Sequence, residues 1–367
     1  QEKMKIIYNT IKCLFTAVSA AVLLTGCSDC TRPESIDFHY TTLEEKNPAL
    51  YEAYYKSIRE YRDSEHKIVI AKFDNKATAP EGKAEHINAL PDSVDFIILQ
   101  NASVVSETIK AEMQEVRELK GQKILYQICY QSIENAWKAY REQWIAEHPE
   151  PETPEETPDE PENPVETMLP LNEYVANEMK VQVAYFKEYG YDGLNLIYSV
   201  RNPASYTEEQ LAEAITAQEA VLTPVMELLE SNPDALFFFE GTPQHIRACT
   251  GLVEKADYFL LPTTSAVTND ELSYIMMQTA MYNNIPADRF IACTTTKSFE
   301  DPDAKPGTFA GDITSIVGAA GWATMPAEGY VKAGISVANA QNDYYNVAKV
   351  YSNIRQAISM MNPSPLK

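Results

Sequence analysis

The stretch that decides the fold of this chain is Tyr191-Asp192-Gly193-Leu194-Asn195-Leu196-Ile197-Tyr198-Ser199. It reads as a buried strand that is entered from a glycine-containing turn and left towards a loop. Because alternate side chains of a strand point to opposite faces, the even-numbered residues from Leu194 to Tyr198 should share one face. The odd-numbered residues from Asn195 to Ser199 should share the other face.

Seven further strand-like runs surround this stretch, and each is close to continuously apolar. Continuous apolar runs are typical of strands that are buried on both faces. The central stretch is the fourth of the eight, and the others are residues 67–73, 93–99, 123–128, 235–240, 258–261, 289–294 and 334–338. With 45% hydrophobic residues in a chain of 367, there is enough apolar material for one large core.

Helix-like segments follow most of these runs, although the segment after the first run is more loop than helix. The expected helices cover about 40–62, 107–120, 132–147, 171–188, 207–231 (interrupted near Pro224), 243–255, 269–283, 312–320 and 344–361. Eight strand–helix units predict an α/β fold, a (β/α)8 TIM barrel forming a single domain over residues 40–367. A doubly wound open sheet is the alternative, but no Gly-x-Gly-x-x-Gly follows any strand, which disfavours its dinucleotide-binding version.

Residues 1–26 have the order of a secretory signal peptide. A basic region beginning at Lys5 precedes an apolar run, residues 13–24, that is too short to span a bilayer comfortably. The last residue of this run and the three that follow it, Leu24-Thr25-Gly26-Cys27, resemble a bacterial lipobox. The resemblance implies that Cys27 is lipidated. We therefore expect a lipid anchor, a tether over residues 27–39, and a location on the bacterial outer membrane or cell surface.

Residues 149–164 consist of Pro, Glu, Asp and Thr with a single exception. Such a segment has no apolar area to bury, so it cannot offset the entropy of ordering its backbone. We predict a disordered, acidic, Pro-rich insertion on the surface of one domain, and a linker between two domains is the alternative.

The charge and the cysteine pattern exclude several classes of function. The formal net charge is -23, which argues against nucleic acid or an anionic membrane as an electrostatic partner. After Cys27, the cysteines Cys30, Cys129, Cys249 and Cys293 match no zinc or redox spacing, and the five histidines are scattered. The sequence therefore predicts neither a metal site nor a cofactor.

The central stretch resembles the signature strand of glycoside hydrolase family 18, the chitinase and endo-β-N-acetylglucosaminidase family. That signature reads Asp-Gly-x-Asp-x-Asp-x-Glu. Asp192 and Gly193 match its first two residues. Asn195 stands at the second Asp, Ile197 at the third, and Ser199 at the catalytic Glu. The resemblance implies a TIM barrel whose catalytic motif is degenerate.

Other parts of the chain are similar to the same family. Residues 54–70 resemble the lead-in helix and first strand of endoglycosidase-like lipoproteins of gut Bacteroidetes, and residues 334–339 resemble their eighth strand. The third strand departs from the pattern, because Gln127-Ile128-Cys129-Tyr130 stands where the family often has Ser-x-Gly-Gly.

In this family the signature Glu protonates the leaving oxygen, and the third Asp orients the substrate's own acetamido group, which acts as the nucleophile. A serine hydroxyl at position 199 is too weakly acidic for the first role, and Ile197 cannot perform the second. We therefore predict no catalytic residue in this strand. The alternative acid is Glu240, at the carboxyl end of the fifth strand, where TIM barrels build their sites.

These observations lead to the hypothesis of a catalytically inactive, cell-envelope lipoprotein that binds N-acetylglucosamine- or mannose-containing glycans or glycoproteins, within an outer-membrane glycan-uptake complex. One alternative is an active hydrolase of the chitinase or endo-β-N-acetylglucosaminidase type that uses Glu240. Another is a scaffold of an envelope complex that touches no sugar. The candidate ligand-binding residues, all near predicted strand ends, are Asp74, Gln100, Gln127, Tyr130, Tyr198, Arg201, Glu240 and Asn339. Trp322 is expected in a loop on the same side.

Overall fold

The computed structural model describes residues 41–75, 80–149, 167–298, 300–301, 304–346 and 349–363. The expected signal peptide (1–26), Cys27 with its tether (27–39), and all but the first residue of the acidic segment (149–164) lie outside these residues. The chain divides into two compact units, Gln1–Glu52 and Ala53–Lys367. The described part of the first unit holds the helix Leu43–Lys46 and the beginning of the helix Pro48–Arg62.

The second unit is a closed barrel of eight parallel strands, which confirms the TIM barrel and excludes the open sheet. Neighbouring strands pair in chain order, and the first strand closes the barrel by pairing with the last. The barrel strands are β1 (Ile68–Phe73), β2 (Phe96–Leu99), β3 (Lys123–Cys129), β4 (Gly193–Tyr198), β5 (Leu236–Gly241), β6 (Tyr258–Leu261), β7 (Phe290–Thr295) and β10 (Lys332–Ala338). Between β7 and β10, β8 (Thr308–Phe309) and β9 (Ile313–Thr314) form a small antiparallel hairpin.

Helices surround the barrel at about the predicted places, with two exceptions. The last helix begins at Ser352 and not near 344, and the segment predicted as one helix over 243–255 contains a 3-10 turn and a separate five-residue helix. The helices are Glu107–Glu115 with the π-helical turn Val116–Lys120, Tyr130–Glu147, Leu171–Glu188, Glu208–Ser231, Thr250–Glu254, Asn269–Ala280, Ser315–Thr324 and Ser352–Met361. Short 3-10 turns lie at Lys83–Glu85, Ile87–Ala89, Pro203–Ser205, Pro243–His245 and Ala340–Tyr345. No helix in the described part of the chain is long and apolar enough to cross a membrane.

The predicted interruption near Pro224 was wrong, because the helix Glu208–Ser231 runs through it. Proline removes one helical hydrogen bond and normally bends or breaks the helix. Here Pro224 is buried together with Val221, Leu222 and Val225, so packing against the barrel holds the helix continuous.

Side chains of the strands alternate between two cores, as expected for β4. Leu194, Leu196 and Tyr198 point outwards and join the large core between the strands and the helices. The opposite faces of the strands fill the barrel interior. The inner core consists of Ile70, Ile98, Leu125, Phe238, Leu260, Ile291 and Cys293.

Aspartates at the amino-terminal end of the barrel fasten alternate strands to their neighbours. Each of Asp95, Asp192 and Asp257 directly precedes an even-numbered strand. Through Oδ2 each accepts a hydrogen bond from a backbone N–H of the preceding strand, on Val69 (2.8 Å), Ile124 (2.7 Å) and Phe237 (2.8 Å), respectively. Asp192 also accepts from Arg117 Nε at 2.8 Å. The aspartate of the central stretch is therefore a structural residue at the base of β4.

Gly193 is required because β4 and β5 approach closely at their first residues. Gly193 is the register partner of Leu236, and a Cβ on Gly193 would lie 2.2 Å from the Leu236 carbonyl oxygen. That distance is far inside van der Waals contact with backbone atoms that cannot move independently. Asp192 and Gly193, the two residues that match the family signature, thus have structural roles in strand packing.

Replacing Gly193 by alanine should therefore lower the free energy of unfolding by about 1–3 kcal/mol, the usual cost of overpacking a core. Urea denaturation of purified protein measures this difference. The matched control is Gly251→Ala in the helix Thr250–Glu254, where an added Cβ meets nothing within 4 Å. Equal stability of the Gly193→Ala variant and the wild type would contradict the close approach of the two strands.

A buried ion-pair network at the same end of the barrel contains a titratable histidine. Asp95 Oδ1 contacts His66 Nε2 at 2.9 Å and accepts from Arg62 Nη1 at 3.1 Å, and the Tyr61 ring packs on the imidazole at 4.3 Å. The hydrogen bond to Asp95 raises the pKa of His66 above its usual value of 6.5, and burial opposes this shift.

Because the folded-state pKa is raised, the stabilisation from protonated His66 is complete below pH 6.5 and is lost as the pH rises through the raised pKa. The wild type should therefore lose stability across this window relative to a His66→Gln variant. Denaturation curves between pH 5 and about 8.5 test this expectation. The exposed His148→Gln serves as control, and parallel wild-type and His66→Gln curves would refute the coupling.

Candidate functional site

The odd-numbered residues of the central stretch rise through the barrel towards its carboxyl-terminal end, the mouth. Asn195 is fully buried, Ile197 is half-buried, and Ser199 is exposed just beyond the end of β4. All three lie on the inward side of the strand, because the intervening residues belong to the outer core. The position that corresponds to the signature Glu thus reaches the mouth, but it carries a hydroxyl group.

An ion pair crosses the barrel beneath the mouth. Lys72 Nζ, on β1, lies 2.9 and 2.8 Å from the two carboxylate oxygens of Glu240, on β5. These strands are four positions apart in a ring of eight, so the pair joins opposite walls. Asn195 on β4 donates from Nδ2 to Glu240 Oε2 at 2.7 Å. We call Lys72, Glu240 and Asn195 the floor network.

Glu240 is the acid that the sequence offered as a replacement, and the structure places it at the mouth with its side chain 15% exposed. Three hydrogen bonds are donated to its two oxygens. A general acid must hold a proton and direct it at the leaving group. In this arrangement the carboxylate instead acts as an acceptor, turned towards Lys72 and Asn195.

Sequence reasoning missed Lys72, although a signal was present. A lysine is almost never buried unless it is paired, and Lys72 stands in the otherwise apolar strand Ile68–Phe73. Its partner was not identifiable, because β1 and β5 are more than 160 residues apart and meet only when the barrel closes.

The charged groups of the floor network affect the pKa of Cys293, which lies in the inner core. Burial, reinforced by the negative charge of Glu240, raises the pKa of this thiol well above its usual range, against the opposing effect of Lys72. A thiol in this state is a poor nucleophile. Cys293 therefore packs as a small buried apolar residue. In the described residues no group of three or more His, Cys, Asp or Glu side chains is arranged to hold a metal ion.

Other predicted residues do lie around the mouth. Asp74 Oδ1 accepts from Asn101 Nδ2 at 2.9 Å, and the Asp74 backbone N–H donates to Gln341 Oε1 at 3.3 Å. Arg201 is exposed, and its guanidinium stacks over the Tyr206 ring at 5.3 Å. The remaining half-buried members of the set, each at or just beyond the end of its strand, are Gln100, Gln127, Tyr130 and Asn339.

Two predicted residues are placed elsewhere. Tyr198 is 3% exposed in the outer core, where its ring contacts Tyr130 at 5.0 Å, because its even-numbered position points it away from the barrel axis. Trp322 is buried in the helix Ser315–Thr324, where its Nε1 donates to Ser273 Oγ at 2.9 Å, and it is not in a loop. Both aromatic side chains pack helices against strands.

An aromatic side chain that was not predicted stands near the mouth. Tyr345 ends the 3-10 turn Ala340–Tyr345 that follows β10, and it is 66% exposed. Its hydroxyl lies near Gly82, in the segment that follows β1. The sequence signal was the tyrosine pair at 344 and 345 immediately after the last strand, on the carboxyl-terminal side.

A large cleft lies at the opposite end of the barrel. It has a volume of about 1560 Å³ and is lined by residues that precede the strands, including His66, Asp257 and Arg289. Two of its charged side chains, Arg62 and His66, contact Asp95 in the buried ion-pair network at this end of the barrel. This cleft is separate from the end at which the predicted site residues gather.

A family model describes this architecture and covers most of the chain. Residues 31–360 match glycoside hydrolase family 18, BT1044-like. The chain belongs to glycoside hydrolase family 18. The family resemblance of the central stretch is thereby confirmed. No curated protein matches the chain.

Solved structures share the family 18 fold. A selenomethionine form of BT1044 with a Glu-to-Gln substitution aligns with a TM-score of 0.54 and 17% identity, over 88% of this chain and 96% of that chain. The chitinase ChiB of Flavobacterium johnsoniae gives a TM-score of 0.46 and 10% identity, over 81% and 95%. A group IV chitinase of Ostrinia furnacalis gives 0.45 and 12%, over 80% and 99%. At 17% identity the similarity to the BT1044 structure establishes the fold and no more.

Removing Lys72 from the floor network should be strongly destabilising. A Lys72→Met variant leaves the Glu240 carboxylate largely buried and without its cation, which typically costs about 3–5 kcal/mol. The double variant Lys72→Met/Glu240→Met should recover most of this loss, because the unpaired charge is gone. Urea denaturation of both variants and of Glu240→Met completes the double-mutant cycle.

The matched control is Lys138→Met, which removes a solvent-exposed lysine 3.0 Å from Glu134 and should change stability by less than about 1 kcal/mol. A Lys72→Met variant as stable as Lys138→Met would show that the cross-barrel pair contributes nothing.

Proposed function

We propose that this family 18 barrel binds a glycan at its mouth without hydrolysing it. The observation that carries the proposal is the inward face of β4. Asn195, Ile197 and Ser199 stand where the family signature has two aspartates and its catalytic glutamate. None of these three side chains is a carboxylate, and the nearby Glu240 is already engaged by Lys72.

Two separate requirements of the family's chemistry are absent from this face. General acid catalysis contributes about 10²–10⁴-fold, and Ser199 supplies no comparable acid. Orientation of an acetamido nucleophile needs a polar or charged partner, and Ile197 offers only methyl groups. The loss of both functions from one strand supports a binding role over hydrolysis.

The mouth offers the kinds of group that bind sugars. Carbohydrates present hydroxyl groups for amide and carboxylate partners, and apolar C–H faces that stack on aromatic rings. Tyr345 is an exposed ring on one side of the mouth, after β10, and the Arg201–Tyr206 pair follows β4 on the other. Gln100 and Gln127 supply amide groups on the strands that lie between these two aromatic sites.

The proposal includes the cellular setting. Lipidation at Cys27 would hold the barrel on the outer membrane or cell surface, where N-acetylglucosamine- or mannose-containing glycans and glycoproteins are accessible. A glycan-uptake complex of the outer membrane is the proposed partner. Support comes from the lipobox-like residues 24–27 and the preceding basic and apolar regions.

The alternative function is hydrolysis by a relocated acid. Glu240 lies at the carboxyl end of β5, at the end of a TIM barrel where catalytic groups are found. Its contacts with Lys72 and Asn195 count against this role, because an acid engaged by a cation must first be released and protonated.

Glycan-array screening followed by calorimetry with N-acetylglucosamine- and mannose-containing oligosaccharides tests the binding function. We expect binding by the wild type, no release of glycan from high-mannose glycoprotein, and at least a fivefold weaker affinity for Tyr345→Ala, about 1 kcal/mol of lost stacking. The matched control is Tyr274→Ala on the helix Asn269–Ala280, whose tyrosine is similarly exposed at 62%.

Each alternative has its own signature in these experiments. Glycan release that disappears in Glu240→Gln would establish the hydrolase. Absence of any array signal, together with co-purification of envelope proteins with the lipidated chain, would favour the scaffold and overturn glycan binding.

A further inference from the structure

Two amide side chains at the bottom of the mouth carry acceptors that the folded protein leaves unused. Gln127 on β3 and Asn195 on β4 are register partners, and both face the barrel interior. Over the described part of the chain, Gln127 Oε1 and Asn195 Oδ1 are buried and have no hydrogen-bond partner. Buried acceptors are normally satisfied, so two neighbouring ones indicate a missing donor.

The orientation of the Asn195 amide is fixed by the floor network. Its Nδ2 donates to Glu240 Oε2 at 2.7 Å, and Lys72 holds the other side of that carboxylate. Turning the amide over would set its oxygen against the Glu240 oxygens. Asn195 Oδ1 therefore points away from Glu240, and because the residue is 0% exposed, no external group reaches it directly.

Gln127 lies beside this acceptor on the neighbouring strand and is less deeply buried. It is half-buried, and the terminal torsion of a glutamine side chain has a broad, shallow energy profile. Neighbouring strands are about 4.8 Å apart, so a glutamine side chain reaches its register partner. A half turn of the Gln127 amide would place Nε2 on the buried side, towards Asn195, and Oε1 on the side of the mouth. A single donor from outside then satisfies both residues.

We propose that Gln127 determines the specificity of the mouth by accepting a hydrogen bond from a hydroxyl group of a neutral sugar. The inference rests on the proposed glycan-binding function and names the chemistry that the site selects. A sugar carboxylate would meet the Gln127 oxygen with Glu240 behind it, and the charge of Lys72 is already balanced by Glu240. Acidic sugars are therefore disfavoured at this position.

The carboxyl end of β3 departs from the family pattern with which the sequence was compared. The third strand ends in Gln127-Ile128-Cys129-Tyr130, where members of the family often have Ser-x-Gly-Gly. The small residues of that pattern offer no side-chain amide. A glutamine here adds a group that both donates and accepts, next to an asparagine that needs a donor.

The test compares Gln127→Met with the wild type, using a neutral oligosaccharide of N-acetylglucosamine and mannose as the probe. Methionine has a similar size but no hydrogen-bonding amide. We expect binding to weaken about tenfold or more, while the melting temperature of the unliganded protein stays equal or rises, because the lost acceptor had no partner. The wild type should also bind the neutral probe at least about tenfold more tightly than an oligosaccharide ending in glucuronic acid.

The matched control is Gln122→Met, just before the same strand at the opposite end of the barrel. Gln122 is fully buried, donates to the Val94 carbonyl at 2.8 Å, and has an unpartnered Oε1 like that of Gln127. Its replacement removes a similar amide far from the mouth, so affinity for the neutral probe should remain that of the wild type.

The possible outcomes separate the two levels of the proposal. If the wild type binds the probe and Gln127→Met binds equally well, the role of Gln127 is overturned and glycan binding stands. A fall in both affinity and melting temperature would make Gln127 a structural residue and also overturn its role. Equal affinity for the glucuronic acid ligand would overturn the selectivity. If the wild type binds no sugar at all, the proposed function and this inference fail together.

Discussion

Closure of the eight-stranded barrel is the constraint on which the rest of this structure depends. Once β1 pairs with β10, every barrel strand is covered by helices on one face and by the other strands on the other. Any polar side chain on an inward face must then find its partner across a narrow interior. Lys72, Glu240 and Asn195 meet this requirement together, which explains a lysine and a glutamate within strands that are otherwise apolar.

The central stretch contains residues that hold the backbone in place and residues that face the barrel interior and the mouth. Asp192 fastens the base of β4 to β3, and Gly193 allows β5 to approach. These two residues match the family signature. The three that differ, Asn195, Ile197 and Ser199, face the interior and the mouth. The packing of this strand and the positions of the family's catalytic motif therefore depend on different residues of one strand.

The sequence predicted the fold well because the strands carry a local signal. Each of the eight strands lies within about three residues of its predicted bounds, and the helix Leu171–Glu188 matches at both ends. Errors arose where distant packing overrides a local preference. Pro224 does not break its helix because buried neighbours hold it.

The candidate site was predictable only in part, since its contacts join distant segments. Asp74, Gln127, Glu240 and Asn339 were placed at the mouth by their positions at strand ends. The ion pair between Lys72 and Glu240 was not predicted, because no local pattern relates β1 to β5. Tyr198 was assigned to the site for its chemistry, although the alternation of its own strand directs it into the outer core.

The floor network also determines the surroundings of Glu240, the acid nearest to the central stretch. An acid that serves a family 18 site must be able to hold a proton next to the bound sugar. A lysine directed into the same interior lies within reach of any carboxylate there and competes for it as an ion-pair partner. In this chain that partner is Glu240, and both of its carboxylate oxygens lie within hydrogen-bond distance of Lys72 Nζ. An unpaired acid and an acid paired with a lysine are thus alternative uses of the same buried space, and Glu240 is paired with Lys72.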